Sequence, residues 1–172
     1  RSKGLTILVS IDGSSSMQGD KIESARNLVA TMFRSVERIP QVKILANVWG
    51  SDLLGNVGIT PVRTEEECNR INTDSECMCL TPTHEALKYS AKQLAKYSGK
   101  KLLIMITDGY PEYWKDAKVF SAQVLVNLTM KEYRKAQRYC KNIMCINVSS
   151  DATSRENLKR IFKKNYVEFP GM

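Results

Sequence analysis

The order of strand-like and helix-like segments predicts an α/β fold: a doubly wound, mainly parallel six-stranded sheet with helices on both faces and one antiparallel edge strand. Two observations carry that prediction. The apolar runs Leu5-Thr6-Ile7-Leu8-Val9-Ser10-Ile11 and Leu102-Leu103-Ile104-Met105-Ile106 have the length and continuity of strands buried on both faces. Elsewhere apolar residues recur at helical spacing, so strands and helices alternate as parallel connections require. Each apolar run leads into an Asp followed by Gly, Asp12-Gly13 and Asp108-Gly109, where the backbone has to turn. The carboxyl ends of strands in open α/β sheets line the ligand crevice, which puts both carboxylates on one rim.

The elements follow in order. Asp20 and Glu23 make a capping-box-like start for a helix whose Ile22, Ala25, Val29, Met32, Phe33 and Val36 form a core stripe until Pro40 stops it. Residues 42–49 read as the second strand, and Gly50-Ser51-Asp52 as a turn into a third, antiparallel edge strand around residues 53–59. Thr81 as N-cap and Pro82 at the first helical position open a helix carrying Ala86, Leu87, Ala91 and Leu94, closed by Gly99. After the strand at 102–106, residues 110–127 read as a long connection, a length that is usually functional in a compact domain. Thr129 and Glu132 form a second capping box for a helix reaching about Lys141. Residues 143–149 read as a buried strand, 154–163 as a short helix and 165–169 as an edge strand. At 172 residues the chain is read as one domain, 1–172, with a core large enough to need no disulfide staple.

Three short segments concentrate oxygen ligands. They are Asp12-Gly13-Ser14-Ser15-Ser16, Thr81-Pro82-Thr83 and Thr107-Asp108-Gly109. An all-oxygen set of two carboxylates and several hydroxyls, with no sulfur or imidazole, suits a hard cation such as Mg²⁺ or Mn²⁺. Two formal negative charges leave a dication electrophilic, so an acidic side chain of a partner can join it. Each segment alone is a common turn; the combination is specific.

This arrangement resembles the von Willebrand factor A domain and its metal-ion-dependent adhesion site, whose pattern is Asp-x-Ser-x-Ser, a Thr and a later Asp. The resemblance implies a Rossmann-like fold and assigns Ser14, Ser16 and Thr81 as hydroxyl ligands, with Asp12 and Asp108 holding the ion directly or through water. The small residue usual before the Thr is Leu80 here. The segments Thr81-Pro82-Thr83-His84-Glu85-Ala86-Leu87, 102–111 with its Thr-Asp-Gly-x-Pro signature, and Asn147-Val148-Ser149-Ser150-Asp151 are similar to the subgroup of the cobaltochelatase T subunit, nitric-oxide-reductase activation proteins and related phage proteins. That subgroup works beside hexameric AAA+ ATPases, so the resemblance implies a cytoplasmic adaptor whose metal site engages a protein partner. Adhesion and ribonucleoprotein-particle roles are the alternative within the wider family. Glu112, Tyr113 and Trp114, directly after Asp108, are the expected partner-binding residues, since aromatics of this kind anchor interfaces.

Other functions find less support. The formal charge of +8 invites nucleic acid, yet the lysines and arginines spread over helices without a groove-reading motif or stacking platform. No apolar run reaches the roughly 20 residues of a membrane span, and the N-terminus has no signal-peptide pattern; the chain begins like a piece cut from something longer. There is no Gly-x-Ser-x-Gly elbow and no phosphate-binding Gly-rich loop with Lys and Ser/Thr, and Ser14 stands where a phosphatase-like Asp12 would need a second carboxylate. The domain is therefore read as a binding module and not an enzyme.

Cys68, Cys77 and Cys79 cluster before Thr81, with His84 the only histidine, but their spacing is no standard zinc finger or ribbon. Free thiols are the reading that an odd count of five favours. The expected outcome in native mass spectrometry under reducing conditions is a mass with five free thiols and no zinc. A stoichiometric zinc ion, or a two-hydrogen deficit confined to these three cysteines, is the contrary result.

Overall fold

The computed structural model describes residues 4–73, 80–116 and 118–169. Strands β1 (Leu5–Asp12), β2 (Val42–Ser51), β3 (Val57–Val62), β4 (Lys100–Thr107), β7 (Asn142–Asn147) and β8 (Tyr166–Glu168) form one sheet. Its order is β3-β2-β1-β4-β7-β8, parallel except for β3 against β2. The predicted doubly wound sheet with one antiparallel edge strand is what the chain forms.

Among the described residues, four α-helices cover it unequally. Helix α1 (Asp20–Val36) packs Ile22, Ala25 and Val29 on one face with Val9, Ile11, Ala46, Val48 and Ile106 of the strands. Helices α2 (Thr83–Leu94), α3 (Ala122–Ala136) and α4 (Ala152–Phe162) share the other face, where Ala86, Leu87, Leu94, Val126, Leu158 and Phe162 meet Leu8, Leu45, Trp49, Leu103, Met105 and Cys145. Neighbouring strand residues divide between these two layers, as alternation along a strand dictates.

Sequence and structure part company where turn chemistry competes with apolar content. The third strand begins at Val57, because Asp52 Oδ1 accepts from the backbone N–H groups of Leu54 (3.0 Å) and Asn56 (2.8 Å) and so closes a tight turn over residues expected in the strand. It then runs through Pro61 to Val62, which an edge strand tolerates. Helix α3 begins at Ala122, seven residues before the proposed cap. Ser121 is the cap, accepting from Val124 N–H at 3.2 Å, whereas Thr129 lies mid-helix and donates to the Leu125 carbonyl at 2.7 Å. The long connection also contains the hairpin β5 (Trp114–Lys115) and β6 (Lys118–Val119).

A buried polar triangle fixes α2 to the centre of the sheet. Ser10 and Asn47 face each other across β1 and β2, and Ser10 Oγ donates to Asn47 Oδ1 at 2.7 Å. Asn47 Nδ2 donates to Ser90 Oγ of α2 at 3.0 Å, and Ser90 Oγ returns to Ser10 Oγ at 3.2 Å. All three residues are buried, so every donor lost leaves a partner unpaired away from water. Asn47→Ala is expected to lower stability by about 2–3 kcal/mol, from the loss of both Asn47 hydrogen bonds, which leaves the Ser10 hydroxyl without its acceptor, plus a small cavity. Chemical denaturation with an unchanged slope checks it.

Candidate metal centre

The sheet order reverses direction at β1, so the crevice between the carboxyl ends of β1 and β4 is the topological switch point. Asp12 is the last residue of β1, and Asp108 follows β4 directly. The chain after Asp12 turns at Gly13, whose N–H bonds the Trp49 carbonyl at 2.7 Å, and brings Ser14 and Ser16 back over the strand end. Ser14 N–H donates to Asp12 Oδ1 at 2.8 Å, the Ser14 and Ser16 hydroxyls lie 3.2 Å apart, and Ser16 Oγ donates to Asp108 Oδ1 at 2.9 Å. Four of the five predicted ligand residues are thus in one hydrogen-bonded cluster.

Thr81 reaches the same rim through its backbone. Leu80 N–H bonds the Ser51 carbonyl at the end of β2, and Thr81 pairs in both directions with Glu112, at 2.8 and 3.0 Å. The helix starts one residue later than expected, with Pro82 as the capping residue and no side-chain cap. The buried Thr81 hydroxyl is therefore not spent on α2.

Sequence reasoning passed over two residues that shape the site. Thr107 Oγ1 donates to Asp12 Oδ2 at 2.7 Å and receives Gly109 N–H at 3.2 Å, which fixes the carboxylate from the β4 side. Lys21, in the first turn of α1, places Nζ 2.8 Å from Asp108 Oδ2. A hydroxyl directly before the second motif Asp and a lysine nine residues after the first were the signals available.

The donor set fits Mg²⁺ or Mn²⁺. Asp12 is completely buried, and among the described residues no cation pairs with it. Burial pushes its carboxyl up to about 6 against the lowering effect of the Thr107 and Ser14 hydrogen bonds, with Asp108 adding repulsion. A dication beside a carboxylate so placed would favour its ionised form. Among the described residues no cluster of three or more His, Cys, Asp or Glu side chains is arranged around a common point, so the hydroxyls are indispensable to any ion bound here.

The segment after Asp108 divides its roles. Glu112 is exposed. Tyr113 turns inward: its hydroxyl donates to the Gly55 carbonyl at 2.7 Å, and its ring meets His84 edge-on at a centroid distance of 5.4 Å. Trp114 is half-buried and donates from Nε1 to the Leu53 carbonyl at 2.6 Å. Gly55 lies at φ +88°, and a Cβ there would stand 2.6 Å from the Trp114 carbonyl oxygen, so the two loops close on each other only with glycine at this point. The joined loops expose Leu53, Leu54 and Val119.

Among the described residues, Cys68 and His84 lie on opposite faces of the sheet. Cys68 packs in the α1 layer, while His84 opens α2 on the opposite face. Burial lowers the His84 pKa, keeping the imidazole neutral, and raises the thiol pKa of Cys68. Cys77 and Cys79 lie outside the described residues. Asn147 is buried and bonded to Tyr166 and Ser149.

No protein-family model matches the sequence, and no curated protein matches it significantly. Solved structures do match. The vWF domain of the type V pili tip protein Mfa5 from Porphyromonas gingivalis aligns with a TM-score of 0.70 at 13% identity, over 99% of this chain and 90% of that one. The fold is that of a von Willebrand A-type domain. The ArnB paralog VWA2 from Sulfolobus acidocaldarius aligns at 0.59 and 19% identity over 97% of this chain. The pilus adhesin SpaC from Lactobacillus rhamnosus GG, in its open conformation, aligns at 0.73 and 15% identity over 98% of this chain. This chain spans 41% of VWA2 and 28% of SpaC.

Asp12→Ala is expected to weaken Mn²⁺ or Mg²⁺ binding at least about tenfold while leaving the fold intact, because it removes one of only two anionic ligands. Titration calorimetry of the two proteins, with circular dichroism as the folding control, decides it. Equal metal binding would sink the site assignment.

Proposed function

We propose that this domain is a divalent-metal-dependent protein-binding module, in which Mg²⁺ or Mn²⁺ held by Asp12, Ser14, Ser16, Thr81 and Asp108 is completed by an acidic side chain of the partner. The observation that carries the reading is the buried Asp12 carboxylate, lacking a cationic partner among the described residues and hydrogen-bonded into a cluster with Ser14 and Thr107 at the switch point. Bound there, the ion supplies a Lewis-acidic point for a carboxylate. The protein's own part is to hold the ligands still and keep the site short of negative charge, so that a further anion is drawn in.

The partner surface extends from the metal rim along the joined loops. Thr81 and Glu112 share a backbone bridge, and two residues on Trp114 is tied to Leu53. The exposed side chains of Leu53, Leu54 and Val119 make an apolar flank of the kind that marks interfaces, with exposed Lys115 and Lys118 beside it. Trp114 and Glu112 are placed to touch a partner; Tyr113 serves by holding the loops together.

The motifs at 81–87, 102–111 and 147–151 favour an intracellular adaptor working with an AAA+ ATPase. A second reading, adhesion, draws on the solved neighbours, which include a pilus adhesin and a pilus tip protein. Both settings use the same metal-dependent contact. Capture on the immobilised domain in Mg²⁺, eluted with EDTA, separates them when run beside Asp12→Ala. An AAA+ ATPase released only from the wild type supports the adaptor, and a surface or matrix protein supports adhesion. Identical eluates from the two columns would remove the ground for either.

Trp114 reports on the same surface. Trp49 is wholly buried and Trp114 half-buried, so quenching by acrylamide is expected to show one shielded and one accessible indole. A metal-dependent partner is expected to shield the second. An indole at 114 that is unreachable in the free domain counts against its interface role.

A further inference from the structure

Lys21 occupies an unusual place for a helix-surface lysine. It stands in the first turn of α1, where a cation meets the unfavourable end of the helix dipole and acidic side chains are preferred. Its Nζ lies 2.8 Å from Asp108 Oδ2, on a carboxylate only 3% exposed, while the lysine side chain keeps 32% of its surface in solvent. The other oxygen of Asp108 is held by Ser16 at 2.9 Å. Both oxygens of the second motif carboxylate are therefore engaged by this chain's own donors.

We infer that Lys21 is an internal counter-cation of the metal centre, paired with Asp108 in the metal-free domain and in competition with the divalent ion for that carboxylate. The inference rests on the reading of this cluster as a metal site. Physical reasons support competition over simple support. A dication drawn to Asp108 repels an ammonium 2.8 Å from the same carboxylate, so the two cations oppose each other. The lysine stem is flexible and partly solvated, so its head can swing to water at little cost. The exchange also makes the site adjustable. Metal affinity is set lower than the five oxygen ligands alone would give, and an acidic group arriving with a partner favours the metal-loaded state twice, by filling the ion's open place and by offering the released ammonium a new counter-charge.

The consequence is measurable with the metal alone. Removing the competing ammonium in Lys21→Met is expected to tighten Mn²⁺ binding about tenfold, the scale of one charge-assisted hydrogen bond that the metal-free state no longer has. Lys21→Arg keeps the charge and the pairing and is expected to bind Mn²⁺ within about threefold of wild type. Lys141→Met, exposed just before the amino end of β7 and so at the opposite edge of the sheet from the cluster, controls for the loss of one positive charge and is expected to leave affinity unchanged. Thermal unfolding gives an independent readout: in EDTA, Lys21→Met melts below wild type, and saturating Mn²⁺ raises its melting temperature by more. Titration calorimetry showing Lys21→Met equal to or weaker than wild type would overturn the counter-cation role while leaving the metal site standing. Mn²⁺ binding by neither protein would remove the metal-site reading and this inference together.

Discussion

A carboxylate completely enclosed at the end of the central strand governs the architecture around it. Asp12 cannot be relieved by water, because it is buried, nor by a lysine or arginine, because among the described residues none pairs with it. Its neighbours instead supply neutral donors, the Ser14 N–H on one oxygen and the Thr107 hydroxyl on the other. Two hydrogen bonds do not make up for lost hydration, which is why its carboxyl sits at about 6. A fold that retains such a group keeps a standing demand for positive charge at one point. The strand order puts that point where a doubly wound sheet opens to ligands.

The side chains proposed to hold a cation there come from both sides of the sheet. Ser14 and Ser16 come from the turn that leads into α1, on one face, whereas Thr81 precedes α2, on the other. Asp108 lies between them after β4. Displacement of either helix layer would therefore pull these side chains apart, and the Ser10–Asn47–Ser90 triangle resists this on the α2 side. The Thr81–Glu112 bridge does the same for the loop.

What was legible in the sequence followed from pattern strength. Continuous apolar strands and the Asp-Gly turns at their ends placed Asp12 and Asp108 on one rim, and the serine spacing brought Ser16 within reach of Asp108. Less legible were positions where a short polar side chain has two uses. Thr129 looked like a helix cap and instead bonds back to Leu125 inside the helix. Asp52 looked like one residue of a turn and organises a whole five-residue turn, pushing β3 to Val57. Tyr113 looked like an exposed anchor; its hydroxyl found a backbone carbonyl 58 residues away in sequence, a pairing no local pattern announces.

Lys21 belongs to the same class, and it shows why the charge balance of the site could not be read from the motif. The five proposed ligand residues count two negative charges, but the folded chain adds a positive one by bringing a helix-terminal lysine to Asp108. The net charge facing a proposed ion is then −1, not −2, before any partner arrives. A site with that balance holds a dication less firmly and leaves a larger share of positive charge for an incoming carboxylate to neutralise. Affinity for the metal and affinity for an acidic partner are then linked through one ammonium group. By thermodynamic reciprocity, a partner that displaces Lys21 from Asp108 must strengthen metal binding by the same factor by which the metal strengthens binding of the partner.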